Sequence, residues 1–325
     1  MGNAPDPPAP FPLPSHPGGG DSPLPPRGGG ARGGRSRRGL SDRQITNLFL
    51  LPTLLLLIAM NLFPLFWSLY LSFCDYHADR NQPAQWIGTA NYAALLASPE
   101  KWRYFTQTAT FVLLAVSIEF VAGFGLALLF HRKFRAQGLL TTLILLPMML
   151  SPVVVGLFWQ LIFDPKRGIF NYLLGLGSTV WLQDPGRAML SLVLIDAWMW
   201  SPFVMLIALA GLSAVPEYLY EAAAVDRASA WFRFRYITLP MVAPLLLIAL
   251  IFRTMDAFKV FDLVWATTSG GPSDLTETVS TSLYRIAFES FDTGQACAFG
   301  YIILVVIIAL TNLYLRFMAR VKGEA

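Results

Sequence analysis

Apolar residues along this chain fall in long unbroken runs rather than in alternating or heptad patterns. Six runs stand out, at about 46–73, 107–130, 139–163, 188–212, 239–262 and 297–318. Each is close to the ~20 residues a helix needs to cross a bilayer. Only structures that satisfy every backbone group internally survive in lipid, so runs of this length predict helices. The pattern predicts an all-α integral membrane protein of about six transmembrane helices. Pro52, Pro64, Pro147 and Pro152 fall inside runs, and each predicts a kink. Ahead of the first run, Met1 to about Arg38 is rich in proline, glycine and arginine. Such a stretch buries too little apolar surface to offset its ordering entropy and is predicted to be disordered. It does not read as a signal peptide, because the run behind it is too long and lacks a small-residue cleavage site. The organisation expected is a tail over 1–44, a transmembrane domain over 45–320 with a cytoplasmic loop at 213–240, and a short cytoplasmic tail at 321–325.

Composition agrees: 55% of the 325 residues are hydrophobic and 14% charged, against about a quarter charged in soluble domains. The placement of Lys and Arg adds an orientation. With the N-terminus inside, the inner segments hold fifteen basic residues: Arg27, Arg32, Arg35, Arg37, Arg38, Arg43, Arg132, Lys133, Arg135, Arg227, Arg233, Arg235, Arg316, Arg320 and Lys322. The outer segments hold eight: Arg80, Lys101, Arg103, Lys166, Arg167, Arg187, Lys259 and Arg285. The positive-inside bias places both termini in the cytoplasm. The basic tail reads as a solvated segment rather than a nucleic-acid-binding one. Cys74 and Cys297 read as small apolar residues rather than a disulfide. His16, His77 and His131 are dispersed and suggest no metal site. The sequence has no G-x-x-x-x-G-K-[ST], so ATP binding by that route is excluded.

One inner loop is built differently from its surroundings. "EAAAVDRASAWFRFRYITLP", Glu221 to Pro240, is too charged to span lipid and too rich in alanine for an idle connector. Pro216 can open a helix and Glu217 and Glu221 complement its dipole. Ala222, Ala223, Ala224, Ala228 and Ala230 favour helix and keep a low profile. Trp231, Phe232, Phe234 and Tyr236 then anchor the loop before Leu239-Pro240 leads into the fifth run. The expectation is a short helix under the membrane, pressed against a cytoplasmic partner.

This loop resembles the signature of binding-protein-dependent ABC importer permeases, which runs from Glu-Ala-Ala through Asp-Gly-Ala to Ile-x-Leu-Pro. Glu221, Ala222, Ala223, Asp226, Ala228, Phe234, Ile237, Leu239 and Pro240 match at the family spacing. Arg227 departs from it, standing where the family has glycine. Glycine permits a sharp turn that arginine resists if φ is positive. "MMLSPVVVGLFWQLIFDPKRGIFN", from Met148, and "FRTMDAFKVFDLVWATTSGGPSDLTET", from Phe252, are similar to carbohydrate-importer permeases of the maltose, trehalose and glycerol-phosphate type. The resemblance covers roughly residues 45 to 320. It implies the type I importer permease fold with a coupling helix between the fourth and fifth spans. It also implies partners: a second permease subunit, two ATPase subunits that use ATP and Mg, an extracytoplasmic solute-binding protein, lipid and a sugar. The chain itself would bind no cofactor and do no covalent chemistry. The coupling residues implied are Glu221, Ala222, Ala223, Asp226, Arg227, Ala228, Leu239 and Pro240. Glu221 would contact the ATPase and Ala222 and Ala223 would pack in its cleft, with Arg227 meeting an acidic residue there.

Charged residues inside the runs are costly unless paired or facing water. Arg253, Asp256, Lys259 and Asp262 recur every third residue with alternating sign. They read either as a polar lining of a solute pathway or as a charge ladder against neighbouring helices. Asp196 lies beside Trp198 and Trp200, and a carboxylate with aromatic rings is what a sugar site uses. Trp residues in spans also serve as packing. Glu119 is either the partner of a buried base or a pathway residue. The pathway candidates are Asp196, Trp198, Trp200, Asp256, Lys259 and Asp262. The function expected is that of a multi-pass permease subunit of an ATP-driven sugar importer in a bacterial inner membrane. The alternative is an ion-coupled secondary transporter of small polar solutes, which would favour inverted repeats, and none is evident between the halves.

Overall fold

The computed structural model describes residues 42–132 and 134–322. Residues 1–41, and with them nearly all of the expected tail, lie outside the described residues, as do Lys133 and the last three positions. The chain divides after Leu57 into two units. The described part of the first is the opening half of helix α1, Asp42–Ser72. The second, Ile58–Ala325, holds everything that follows.

Behind α1 come a two-residue hairpin, β1 (Cys74–Asp75) and β2 (Gln85–Trp86), with Cys74 paired to Trp86. Then follow α2 (Ala90–Ala97), α3 (Pro99–Phe130), α4 (Gln137–Leu145), α5 (Pro152–Ile162), α6 (Ile169–Leu174) and α7 (Ala188–Ser213). The remainder is α8 (Glu217–Val225), α9 (Ala230–Arg233), α10 (Leu239–Phe258), α11 (Asp262–Thr267), α12 (Val279–Tyr284) and α13 (Thr293–Lys322). Among the described residues, five helical rods are long and apolar enough to cross a membrane: Thr46–Ser72, Pro99–Phe130, Ala188–Ser213, Ala230–Phe258 and Thr293–Arg316.

The third apolar run is the one that differs from a simple span. Instead of a kinked helix over 139–163, it forms α4, a 3₁₀ turn at Pro147–Met149, and α5. Proline lacks the N–H that would continue the helix and disfavours helical backbone in the residue before it. Ser151, preceding Pro152, is accordingly extended at φ −65° and ψ 136°. The expected kink is a break. The fifth run also ends earlier than 262, because Lys259 caps α10 and Asp262 opens the separate helix α11. The three-residue charge series is therefore not one helix face. The second helix starts earlier than 107, at Pro99, where the Ser98 side chain accepts from the Lys101 amide and Glu100 sits in the first turn.

The centre of the second unit is α7, apolar nearly all round and buried along most of its length. Such a helix belongs inside a bundle. It packs on α3, where Gly123 has no room for a side chain: a Cβ there would stand 2.5 Å from the Ser201 carbonyl oxygen and 2.7 Å from Val204 Cβ. It also packs on α10 at Gly211, opposite Val242. Phe111, Leu192, Val193, Phe258 and Phe299 fill one core cluster, and Met205, Ala208, Leu212 and Val242 a second. A third joins Val155, Phe163, Ile195, Met199 and Leu263. Cys74 and Cys297 are both free thiols.

Candidate functional site

A cluster of charged side chains lies inside the bundle. Glu119 from α3, Asp196 from α7, and Arg253 and Asp256 from α10 converge there. The Arg253 guanidinium donates from Nε to Glu119 Oε2 at 2.6 Å and from Nη2 to Glu119 Oε1 at 2.8 Å, a bidentate fork. Nη2 also donates to Asp196 Oδ2 at 2.9 Å and Nη1 to Asp256 Oδ2 at 2.8 Å. Its flat face lies 4.8 Å from the centroid of the Trp200 ring, a cation–π distance. Arg253 is 2% exposed and Glu119 fully buried, whereas the Asp256 side chain is 57% exposed. Arginine suits this position because its planar fork matches a carboxylate and stays charged when buried. Three helices are thus pinned by one side chain.

Beside the cluster lies a cavity of about 140 Å³ lined by Asp196, Trp200, Asp256, Lys259 and Asp262, with Pro152, Phe261 and neighbouring apolar residues. A second recess of about 390 Å³ shares Trp200 and Asp256 and adds Phe203, Ile207, Phe252 and Arg253. Five of the six pathway candidates are therefore brought together. Trp198 is not among them. It lies two residues from Trp200, on another face of α7, and meets Trp159 edge-on at 5.5 Å. It lines a largely apolar groove with Ile118, Leu146 and Pro147 instead. Glu119 takes the role of partner to a buried base. Phe261 carries no chemical signal in the sequence, and only the turn between α10 and α11 brings it to the cavity.

The opposite end of α7 and α10 carries the signature loop. Pro216 is the N-cap of α8, with Glu217 in the first turn. Glu221, Ala222, Asp226 and Arg227 are exposed, while Ala223 is turned into the chain's own core. Ala222 and Ala224 are exposed on either side of it, and Val225 is exposed beyond them, so the expected Ala222–Ala223 pair does not face outward together. The helix ends in a Schellman motif: Ala228 N–H bonds to the Ala223 carbonyl at 2.9 Å and Arg227 N–H to the Ala224 carbonyl at 3.1 Å. The motif requires a left-handed residue, and Arg227 takes it at φ 52°. The sharp turn for which glycine is suited is made here by arginine. Ser229 then caps α9 by accepting from the Phe232 amide. A five-residue π turn, Phe234–Thr238, joins α9 to α10, and Leu239 and Pro240 fall in the first turn of α10. Tyr220 and Thr238 share a hydroxyl hydrogen bond of 2.9 Å that ties α8 to the π turn. Phe234 reaches Phe124 of α3, with ring centroids 6.0 Å apart.

The family model described as binding-protein-dependent transport system inner membrane component matches residues 119–322. The match opens at Glu119 and takes in both the charge cluster and the loop. The trehalose/maltose transport system permease protein MalF of Thermococcus litoralis is 33% identical over 283 residues, covering 85% of this chain and 94% of that protein. The trehalose transport system permease protein SugA of Mycobacterium tuberculosis is 32% identical over 278 residues, covering 85% and 89% respectively. Among solved structures, a chain of a bacterial ABC transporter involved in the import of the acidic polysaccharide alginate shares the fold. Its TM-score is 0.74 at 24% identity, covering 85% of this chain and 95% of that one.

Proposed function

The chain belongs to the family of binding-protein-dependent transport system inner membrane components, and on that premise we propose that it is the permease subunit of an ATP-driven sugar importer. It would form half of the translocation pathway with a second permease and be driven by two ATPase subunits that use ATP and Mg. An extracytoplasmic binding protein would deliver the solute. The sugar class rests on the relatives named for trehalose and maltose transport. The absence of a phosphate-binding loop in the sequence fits a chain that takes its energy from a partner. The ion-coupled alternative has no comparable support.

One observation carries the mechanism: α7 and α10 hold the polar cavity toward one end and the exposed α8–α9 module at the other. Asp196 lies seventeen residues before Ser213, about 26 Å along a helix at ~1.5 Å per residue. A push on the module is transmitted along two packed rods to the cavity, which is what alternating access requires. Glu221, Ala222, Asp226, Arg227 and Ala228 would meet the ATPase, with Leu239 and Pro240 setting the entry into α10. Asp196, Trp200, Asp256, Lys259 and Asp262 would line the solute path. The charge bias puts the module and both termini in the cytoplasm.

The test is transport by the assembled complex with Glu221→Ala. Glu221 is exposed and its loss leaves no buried group unpaired, so the variant should fold and insert. ATPase docking should weaken, or hydrolysis should proceed without uptake. Full solute-stimulated uptake in that variant would remove the module from the mechanism. A reporter fused after Arg135 or Arg235 should read cytoplasmic, and one placed within 270–290 should read external; the inverse pattern would overturn the orientation.

A further inference from the structure

Resting on that reading of the cavity, we infer that this chain's side of the pathway accepts uncharged polyhydroxylated solutes and discriminates against anionic ones such as uronates, sulfonates and sugar phosphates. The fold does not decide this, since the alginate importer that shares it handles an acidic polysaccharide. The side chains do. An arginine beside a tryptophan in a solute path looks like a ligand for a carboxylate, but Arg253 has almost nothing left to offer. A guanidinium has five N–H groups. Two go to Glu119, one to Asp196 and one to Asp256. Its guanidinium lies over the Trp200 ring, and only 2% of the side chain is exposed. An incoming anion would have to displace a carboxylate already in place, which leaves the sum of charges no better.

That sum is negative. Glu119, Asp196, Asp256 and Asp262 face Arg253 and Lys259, and a proton on any one of the four carboxyl groups still leaves the acids in the majority. Among the described residues Lys259 is the one cation on the cavity wall, and it stands between Asp256 and Asp262 in sequence. At the buried edge of the wall, where Asp196 is 3% exposed, such a surplus acts on a ligand charge with less screening than in water. A sugar hydroxyl, by contrast, has what the wall can use. Asp256 and Asp262 are exposed acceptors and want O–H donors, while Lys259 donates to a ring or hydroxyl oxygen. A carboxylate or sulfonate brings only acceptors to acceptors.

The test isolates the permease from the selectivity of the binding protein. The assembled importer in lipid nanodiscs, without its binding protein, is titrated with trehalose and with maltose, each against its own monouronate, and binding is followed by saturation-transfer NMR. A neutral sugar should bind at least about tenfold more tightly than its uronate. In Asp256→Asn/Asp262→Asn, shown to assemble by co-purification with the ATPase, that gap should shrink severalfold. Equal or tighter binding of the uronate overturns the inference and leaves the pathway reading intact. A gap that the double variant leaves unchanged also overturns it, because these aspartates would not be its source. Failure of all four probes to bind removes the pathway reading itself.

Discussion

Two arginines of this chain each gather carboxylates, Arg253 from three helices and Arg285 from one loop, and they do so on different terms. Arg253, inside the bundle, meets Glu119, Asp196 and Asp256 at 2.6 to 2.9 Å, with Glu119 in fork geometry. Arg285, between α12 and α13, is 36% exposed and meets Glu277 at 3.3 Å and Asp274 at 3.9 Å. Its Nε finds no partner among the described residues, and neither oxygen of the buried Glu277 carboxyl accepts a hydrogen bond there. The difference follows the solvent. Deep among apolar helices nothing else can satisfy a charge, so an unpaired donor would cost the full desolvation penalty. Arg285 is partly exposed, so water can complete its own donor set, though not that of Glu277, which is 1% exposed. The close set is thus a structural clamp with one exposed edge at Asp256, and the loose one a partly exposed network. Around the loose set, Gly270 is fixed by sterics: its φ is +84° and a Cβ would collide with the Glu277 carboxylate.

The contrast predicts unequal costs. Arg253→Ala should be the most damaging change, leaving Glu119 and Asp196 buried without a counter-charge, at about 3–5 kcal/mol. Thermal unfolding of the detergent-solubilised importer should show a large drop in Tm or a failure to accumulate. Replacing Arg253 and Glu119 together by Met and Leu should recover part of that loss, because Asp196 is then the one of these two buried carboxylates still without a counter-charge. If the double variant is as unstable as the single, the clamp is not the source of the cost.

Arg285→Ala should cost roughly 1–3 kcal/mol, less than at Arg253 because Arg285 is 36% exposed and its contacts are longer, yet more than a surface pair because Glu277 is left buried. A loss as large as that at Arg253 would erase the distinction between the two sets. Burial pushes the Glu277 carboxyl above its ordinary range, with Arg285 pulling the other way. A raised carboxyl pKa binds its proton more tightly in the folded state, so the sign is fixed. The stability it contributes is present below the ordinary carboxylate pKa and is lost as pH rises through the folded value. The wild type should therefore melt slightly lower at pH 7 than at pH 5 relative to Glu277→Gln, in which this dependence should vanish.

A third arginine sharpens the comparison from the other side. Arg227 is exposed and sits at φ 52°, where an L side chain costs about 1 kcal/mol that glycine does not. Arg227→Gly should stabilise the isolated permease by roughly that amount. It should nonetheless weaken association with this importer's own ATPase if the side chain meets an acidic residue there, as read by co-purification. Unchanged association would make Arg227 a tolerated surface residue at a strained turn.

Much of the molecule was legible before any fold was built. Runs of apolar residues have no use for water, so they name the helices; alanine, proline and acid placement name α8; and the signature spacing of Glu221 to Pro240 names the family. The charges at positions 119, 196, 253 and 256 also announced themselves, because an ion inside an apolar run must have a reason. Their partners were not legible. The spacing of Arg253, Asp256, Lys259 and Asp262 suggests one helix face, yet α10 stops at Phe258, and Lys259 reaches the cavity from its cap and Asp262 from the start of α11. Trp198 and Trp200 look equivalent in sequence and point to different grooves, because two residues along a helix is about half a turn. The break of the third run at Pro147 and Pro152 was visible only as a kink. Sequence fixes what each segment prefers locally. Which carboxylate closes on Arg253 depends on contacts between residues up to 134 positions apart, and only the packed bundle decides that; the left-handed turn at Arg227 is local, yet it overrides the preference of its own residue type and so shows only in the folded backbone.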